Sequence, residues 1–586
     1  MAANISAGHG QAGAQAARRT GAGPLRRFML SRLARLSYPG SQAEQLLLAP
    51  QELRTADPSF AAEIYNGHFG LAGRLAELGP LSPFEITPPS QAWARELYGF
   101  GWLRHLRSAG SELSREQAKT LVRDFVRLQR GTKGIAFEPE VVARRAISWL
   151  SNSVVVLDAS DPRSYQAFLR ALTEQLRYLS ASYRAAPDGV PRLVALMALI
   201  YAGLCIGGQQ AVVDAYVKPF CKELDRQILS DGGHVSRDPA ALIELLLDLL
   251  PLRQCFVARD RLPPKQLSDA IDRAMPMLRF FRLGDGALAR FNGCGATPTD
   301  ELATVLAYDD TEGSPLRAAP NSGYGRIERG PMLLIVDIAT APAASLSRHA
   351  HAGCLSFEMS AGAHAMIVNC GAPSADHDDW RLFARSTAAH STLVFEETSS
   401  AELLTGTNGA TPYADAELVG PPNVQGGLRE EGDGIEIKGS HDGYVAPFGV
   451  RHERRIVVPA SGLMVAGEDR LVAAGSRALP TGGDYAIRFH LHPSVSARPT
   501  PDGGAVALVL PNREGWTLSS NAPSMTIEDS VFLADERGPQ QSLQVVLSGA
   551  LGADLHVVWT IERTAPAGGA SLVDPNDAPD DDPDPA

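Results

Sequence analysis

The sequence predicts a multidomain α+β fold, with a helical N-terminal half and an antiparallel β-sandwich in the C-terminal half. Three observations predict it. Apolar residues recur at helical spacing from about residue 41 to residue 300. Near residue 285 glycine and proline become frequent, and short alternating apolar segments replace the helical period. The chain also has 586 residues, too many for one compact core, because domains usually hold roughly 50 to 250 residues.

The first half has the pattern of a series of helical hairpins. Leu121, Val122, Phe125 and Leu128 share one face at helical spacing, and the preceding segment 114–117 has the composition of a capping box. Many successive helices with short links indicate hairpins packed in a ring or a solenoid. Further helices are predicted at 141–150, 165–179, 192–206, 212–229, 241–250 and 267–281.

The second half has the pattern of many short strands. Strands at this density favour antiparallel sheets stacked as a sandwich. Strands are predicted at 332–338, 355–359, 365–368, 392–395, 454–458, 486–490, 505–510, 543–547 and 555–561.

These patterns divide the chain into four parts. Residues 1–40 form a basic, disordered N-terminal segment, 41–300 the helical domain, 315–565 the β-sandwich domain and 566–586 an acidic, disordered tail.

The first segment carries Arg26-Arg27-Phe28-Met29-Leu30, which is similar to a twin-arginine export signal, but no apolar stretch of the required length follows it. The longest apolar stretch of the chain, 193–206, is too short to span a bilayer. We therefore expect no transmembrane segment and a cytoplasmic location, with the periplasm as the alternative. The oligomeric state is left open.

The charge balance excludes one class of partner. The formal net charge of -12 would repel nucleic acid, so no nucleic-acid role is expected. An acidic polysaccharide would be repelled as well. A site for such a substrate would therefore need its own local cations or a metal.

The densest polar constellation of the chain is 348–358. It contains His349 and His351, which are two apart and would point the same way in an extended strand. Asn369 and His390 follow on the next segments. Such nitrogen and oxygen groups could converge on a divalent cation such as zinc. The alternative is that the histidines bond to one another across a sheet.

Three motifs make this region similar to a known family. The segments 349–358, 368–371 and 385–392 resemble the histidine-rich strand, the following apolar strand and the Arg-x-Thr-x-x-His motif of the heparinase II/III C-terminal domain. Further matches, strong in the second half and looser in the helical half, extend the resemblance to roughly residues 45–560. They lie at 100–103, 231–234, 321–324, 440–444, 451–454 and 467–469.

The resemblance implies a fold and an activity. Known members combine an incomplete (α/α) toroid with a β-sandwich, and they cleave uronate-containing polysaccharides by β-elimination. That reaction needs a group that neutralises the uronate carboxylate, a base that removes the neighbouring proton and an acid for the leaving oxygen. The implied substrate is a heparin-like, heparan-like or other acidic polysaccharide or oligosaccharide.

The resemblance also implies a zinc ligand set, which maps onto His351, Asn369 and His390. The family has an aspartate where this chain has Asn369, and another where it has Gly353. A neutral amide is a poorer ligand than a carboxylate, so zinc affinity is expected to fall or vanish. If one zinc is shared, the ring nitrogens of His351 and His390 should lie within about 8 Å of each other, because zinc–nitrogen bonds are roughly 2 Å long.

The catalytic set departs from the family as well. The tyrosine that serves as the family's candidate base is matched by Ala241, and the Asn-His pair of the carboxylate-neutralising helix is absent near residue 190. Arg192 or Arg237 could supply the missing cation. Arg385 either contacts an anionic substrate or braces the loop before His390.

Three residues remain as acid or base candidates. His349 is the best of them, because histidine titrates near neutral pH. Tyr324 is a second candidate base, with a buried, hydrogen-bonded hydroxyl as the alternative. His234 follows two glycines and either lines the cleft or has a structural role.

The sequence leaves three functions open. The first is a carbon–oxygen lyase that acts on a uronate polysaccharide. The second is a non-catalytic polysaccharide-binding or assembly protein that retains the lyase fold, suggested by Ala241 and Asn369. The third, ranked last, is a glycoside hydrolase that would use two carboxylates such as Asp231 and Glu244.

Overall fold

The computed structural model describes residues 38–128, 134–309, 316–374, 378–404, 416–475, 479–480, 482–552 and 555–564. Nearly all of the basic N-terminal segment predicted for 1–40, and all of the acidic tail predicted for 566–586, lie outside these residues. Among the described helices none is both long enough and apolar enough to cross a membrane.

Helices make up most of the first half, as the helical spacing of apolar residues predicts. Within the described residues they are α1 (Phe60–Tyr65), α2 (Gln91–Gly99), α3 (Leu103–Ala109), α4 (Glu112–Leu128), α5 (Pro139–Ser151), α6 (Ser153–Val156), α7 (Pro162–Ser182), α8 (Val190–Cys205), α9 (Gln210–Gln227), α10 (Ala240–Ala258), α11 (Lys265–Phe280) and α12 (Thr299–Leu306). Two short helices, α13 (Asp378–Ala384) and α14 (Val445–Phe448), lie in the second half.

The helix α8 is the centre of the helical toroid. It packs against α5, α7, α9 and α10, and every residue from Leu193 to Cys205 is buried. This explains why its sequence is apolar on all sides rather than on one face. Gly203 allows the close approach of α9, because a Cβ atom there would lie 2.5 Å from Val213 Cγ2.

Two details of the first half differ from the sequence prediction. The helix α4 begins before the predicted capping box, and Ser111 Oγ accepts the N–H of Ser114 at 3.0 Å, so Ser111 is the N-terminal cap. A β-hairpin, β1 (His68–Leu71) with β2 (Arg74–Glu77), lies among the helices. Its turn has left-handed φ angles at Ala72 and Gly73. Four-residue strands are too short for an alternating pattern to stand out.

The second half consists mainly of antiparallel strands. They are β3 (Ala318–Ala319), β4 (Tyr324–Arg329), β5 (Met332–Asp337), β6 (Phe357–Ala361), β7 (His364–Val368), β8 (Leu393–Phe395), β9 (Glu402–Leu404), β10 (Glu417–Val419), β11 (Val424–Glu431), β12 (Gly434–His441), β13 (Val450–Val458), β14 (Met464–Ala473), β15 (Asp484–Leu491), β16 (Ser496–Pro499), β17 (Ala505–Val509), β18 (Gly515–Ser520), β19 (Ser524–Phe532), β20 (Gln540–Ala550) and β21 (Leu555–Arg563).

Two large sheets stack to form the predicted sandwich. One has the strand order β11-β12-β13-β14-β21-β18-β17-β16, and the other has β19-β20-β15-β7-β6-β5-β4-β3 with β8 added beside β15. The ring of Phe357 on β6 stacks on the ring of Trp559 on β21, with centroids 5.6 Å apart. Apolar side chains from both sheets thus share one core between them.

The strand β5 shows how the sandwich meets the toroid. Leu334 and Val336 join the core between the sheets, whereas Leu333 and Ile335 join the core of the helical half. Successive residues of a strand point to opposite faces, so this sheet is covered on both sides. Its continuous apolar sequence, rather than an alternating one, follows from that double burial.

Candidate functional site

The histidine-bearing segment before β6 is a turn, not a strand. The N–H of Ala350 donates to the carbonyl of Ser347 at 3.0 Å, which closes a turn around His349. The side chain of His349 is exposed and that of His351 is buried. The prediction that both rings point the same way is therefore wrong, because the turn places them in different surroundings.

His351 and His390 form a buried pair. His351 Nδ1 lies 3.2 Å from His390 Nε2, well within the distance expected for a shared site. His390 Nδ1 donates to the carbonyl of Ser386 at 2.8 Å, so its Nε2 accepts the proton of His351. Burial lowers the pKa of His390 to about 4, and burial beside His390 lowers the pKa of His351 well below its usual value. Both rings are neutral at pH 7.

Asn369, at the end of β7, is bonded to the backbone rather than to the histidines. Its Oδ1 accepts the N–H of Ser391 at 3.0 Å, and its Nδ2 donates to the carbonyl of Arg290 at 3.4 Å. The neighbouring carboxylate, Glu358, accepts the N–H of Asn369 at 2.8 Å and pairs with the guanidinium of Arg290 at 3.0 Å. The acid next to Asn369 is therefore neutralised inside the protein.

These residues do not fit a resident zinc ion. The two ring nitrogens have a spacing that a metal could bridge, but they are already joined by a hydrogen bond. No cluster of three or more histidine, cysteine or acidic side chains suited to a metal occurs in the described part of the chain. Asn369 contributes no charge, and zinc sites in proteins have at least three protein ligands.

Arg385 braces the loop that carries His390. It is buried and donates to three backbone carbonyls, those of Ala350 at 3.0 Å, Ser347 at 2.9 Å and Ala416 at 2.7 Å. A guanidinium in these contacts is not presented to a ligand. Of the two roles that the sequence left open, the structure favours the bracing role over substrate binding.

Arg237 joins the toroid to the sandwich. Its guanidinium pairs with Asp337 at 2.5 Å, donates to the carbonyls of Ser322 at 2.9 Å and Thr340 at 2.7 Å, and lies 4.7 Å from the ring centroid of Tyr324. The side chain is buried. These contacts contradict the prediction that Arg237 binds a substrate carboxylate, because its charge is satisfied by Asp337.

Tyr324 lies in the same buried network. Its hydroxyl donates to the carbonyl of Arg237 at 2.7 Å and accepts from Asn292 Nδ2 at 2.8 Å. Burial raises the pKa of Tyr324, so the phenol is protonated at neutral pH. This position contradicts a role as a base, because the proton is held and the ring is not exposed.

His234 is also enclosed. Its Nε2 lies 2.9 Å from Gln227 Oε1, its Nδ1 lies 2.7 Å from Ser236 Oγ, and burial lowers its pKa to about 4. Both ring nitrogens thus have partners within the toroid. The structural role weighed from the sequence is favoured over catalysis.

Arg192, at the start of α8, is half-buried and paired. Its guanidinium contacts Asp188 Oδ1 at 3.4 Å and the carbonyl of Ala186 at 3.1 Å. Asp188 also pairs with Arg226 and accepts from Ser345 Oγ of the sandwich at 2.9 Å. Arg192 thus belongs to a charge cluster at the junction of the two halves, rather than standing as an isolated cation for a substrate.

The acids considered for a hydrolase are engaged as well. Asp231 accepts hydrogen bonds from the N–H groups of Asn321 at 2.8 Å and Ser322 at 2.7 Å. Glu244 forms an ion pair with Arg144. Asp231 therefore fixes a sandwich turn, and the two acids are not set up as a pair across a bond.

The structure adds residues that the sequence did not single out. Asp337 follows the apolar run of β5, and a charge at the end of a buried strand is the signal that could have revealed it. Asp238 is half-buried three residues before Ala241, and its Oδ1 accepts the N–H of Ala240 at 2.9 Å. Burial, together with the charge of Glu244, raises the pKa of Asp238 to about 7.

A second histidine pair lies inside the sandwich. His441 Nε2 is 3.2 Å from His452 Nδ1, and His452 Nε2 is 2.7 Å from Asp469 Oδ1. Asp469 also accepts from Arg454 at 2.7 Å and from Trp559 Nε1 at 2.9 Å. Burial alone would raise the pKa of Asp469, but Arg454 and His452 hold it well below its usual value. His452 thus belongs to an internal ionic network of the sandwich.

Comparison with known proteins places both halves of the chain. The family model described as heparinase II/III-like, C-terminal, matches residues 311–571. FtsZ-localized protein C of Caulobacter vibrioides is 31% identical over 551 residues, which cover 90% of this chain and 92% of that protein.

Solved lyase structures share the fold at low identity. A crystal structure of heparinase III matches with a TM-score of 0.68 and 14% identity over 92% of this chain and 89% of the other. A mutant heparan sulfate lyase from Pedobacter heparinus matches with a TM-score of 0.60 and 14% identity over 91% of this chain and 87% of the other. The helical toroid and the sandwich agree with these matches, and the chain belongs to the heparinase II/III-like family.

Proposed function

We propose that this chain is a non-catalytic assembly protein that acts with FtsZ and keeps the lyase fold as a scaffold. A cytoplasmic location is part of the proposal. One observation carries the proposal of a non-catalytic role. Ala241 occupies the position of the family's base, and its methyl group cannot accept a proton.

The arginines weighed from the sequence support the same conclusion. Of the three arginines considered as carboxylate-binding groups, Arg237 and Arg385 are buried and bonded, and Arg192 is paired with Asp188. A chain with a formal net charge of -12 needs a local cation to hold a polyanion at its reacting carbon. Here the charges of these arginines stabilise the protein itself.

The relative named FtsZ-localized protein C supplies the choice of partner. It matches over nine tenths of this chain. Polysaccharide binding, which the family implies, stays a prediction for this chain.

Co-sedimentation with purified FtsZ tests the partner. The full chain should pellet with assembled FtsZ and should remain in the supernatant with unassembled FtsZ. A chain that stays in the supernatant under both conditions would refute the assembly role.

A second function, a uronate polysaccharide lyase, is favoured by two specific features. His349 is exposed beside the turn that contains Gly293, and burial together with the charge of Glu244 raises the pKa of Asp238 to about 7. These two groups would divide the acid and base roles. Since a general acid or base contributes a factor of roughly 10²–10⁴, His349→Ala and Asp238→Asn should each reduce turnover by that much. Variants as active as the wild type would remove these residues from the mechanism.

A further inference from the structure

The pair His351–His390 lies where the family resemblance places a zinc centre, and a hydrogen bond between the rings occupies both facing nitrogens. The lone pair of His390 Nε2 accepts the proton of His351 Nδ1, and the proton of His390 Nδ1 is held by the carbonyl of Ser386. Zinc ligation by the two facing nitrogens would require the proton of His351 to leave Nδ1 and would break the hydrogen bond between the rings.

The second pair, His441–His452, shows that this distance between ring nitrogens is an ordinary hydrogen-bond distance. His441 and His452 have the same 3.2 Å between ring nitrogens. Their ring centroids are 5.0 Å apart, against 5.2 Å for His351 and His390. The acid of the sandwich pair, Asp469, binds the far nitrogen of His452, where it cannot complete a metal site with the facing nitrogens.

Two substitutions accompany this arrangement. Asn369 keeps both polar atoms of its amide on the backbone and brings no charge. At Gly353 a Cβ atom would lie 2.7 Å from His390 Cδ2 and 3.1 Å from its Nε2, so the ring packs against the bare backbone. An aspartate at 353 would displace the ring that accepts the bond from His351.

We propose that this chain has replaced the zinc centre of its family with a metal-free, hydrogen-bonded histidine pair, and that Asn369 is the residue that keeps the site free of metal. The pair clamps the loop that ends at His390 to the turn that carries His351. The site is thereby a structural joint in the sandwich. This inference does not depend on the partner proposed above.

Metal content tests the proposal. The purified full chain is incubated with zinc, passed through gel filtration and analysed by elemental mass spectrometry, and its melting temperature is recorded with zinc and with EDTA. The wild type should retain no stoichiometric zinc and should melt at the same temperature in both solutions. Stoichiometric zinc, with a melting temperature lowered by EDTA, would overturn the proposal.

A reversal variant makes the test sharper. Asn369→Asp supplies the missing charge and should retain at least roughly ten-fold more zinc than the wild type, because changes near a metal typically alter affinity by 10–100-fold. It should melt higher in zinc than in EDTA, since a metal bound only by the folded state stabilises it.

Asn369→Ser is the matched neutral control and should gain no zinc. Adding His390→Gln to Asn369→Asp should abolish the gain. A folded Asn369→Asp chain that retains no more zinc than the wild type would refute the role of Asn369. If that variant does not fold, the wild-type zinc content and response to EDTA decide the proposal.

Discussion

Two buried histidine pairs lie in the second half of this protein, and they differ in charge rather than in shape. The ring nitrogens are 3.2 Å apart in both His351–His390 and His441–His452. In the first pair His390 Nδ1 bonds to the carbonyl of Ser386, whereas in the second pair His452 Nε2 bonds to the carboxylate of Asp469.

This difference in charge determines how strongly each pair affects the stability of the protein. The pair that ends on Asp469 belongs to a buried ionic network with Arg454, and that network links β13 to β14. A buried carboxylate is tolerated only when it is paired, so removal of one partner leaves an uncompensated charge. The pair His351–His390 is neutral, and its loss removes hydrogen bonds alone. The two pairs should therefore respond very differently to mutation.

The largest effect is expected for Asp469→Ala. It strips the partner from Arg454, His452 and Trp559, all of which are buried. Breaking a buried ion pair from one side typically costs about 3–5 kcal/mol, and we expect a loss of that size in the free energy of unfolding. Denaturant titration followed by circular dichroism measures it.

The neighbouring acid on the same strand provides the control for Asp469→Ala. Glu468 is partly exposed and pairs with Arg470 at 3.0 Å, so Glu468→Gln should cost at most about 1 kcal/mol. Equal losses for the two variants would mean that the buried network does not stabilise the sandwich.

A smaller effect is expected for His390→Leu. The leucine has a similar bulk but cannot accept the proton of His351, which then lies buried without a partner. An unsatisfied buried donor costs about 1–3 kcal/mol, so the free energy of unfolding should fall by that amount in the same titration. A loss as large as that of Asp469→Ala would indicate that the first pair carries charge or metal after all.

The pH dependence of stability tests the assignment of His390. Burial lowers the pKa of His390 to about 4 in the folded state, whereas an unfolded histidine has a pKa of about 6.5. The unfolded chain therefore takes up the proton first, and the stabilisation is complete above about pH 6.5 and lost as the pH falls towards 4.

Asp469 also has a lowered pKa in the folded state, but an unfolded aspartate has a pKa of about 3.9, so its contribution is lost only below about pH 4. Denaturant titrations between pH 7.5 and pH 4 check this. The free energy of unfolding should depend less steeply on pH for His390→Leu than for the wild type, and the difference should correspond to the uptake of up to one proton on unfolding. Parallel curves for the wild type and His390→Leu would contradict the assignment.

The smallest effect on stability is expected for His349→Ala. His349 is exposed, unlike its neighbour His351, and surface substitutions usually change stability by less than about 0.5 kcal/mol. The melting temperature should stay within a degree or two of the wild type, measured beside His351→Ala as the buried comparison. A clear loss of stability would mean that His349 is part of the joint.

The sequence predicts the fold better than it predicts the site, and particular residues show why. The long apolar runs give the positions of α8 and of β5 because both elements are buried on all sides. The pairing of Arg237 with Asp337 joins residues 100 positions apart, and no local pattern reports it. The motif brings His351 and His390 together, but the turn at His349 breaks the strand on which the shared direction of His349 and His351 depended.

We propose above that this lyase fold lacks its elimination machinery, and an assay of β-elimination tests this directly. The protein is incubated with a panel of uronate polysaccharides, and the unsaturated product is followed by its ultraviolet absorbance. An active lyase serves as the positive control. We expect no signal above the blank for the wild type, because Ala241 cannot take the proton and Arg192, Arg237 and Arg385 are engaged within the protein. Steady formation of unsaturated product by the wild type, abolished in His349→Ala, would contradict it.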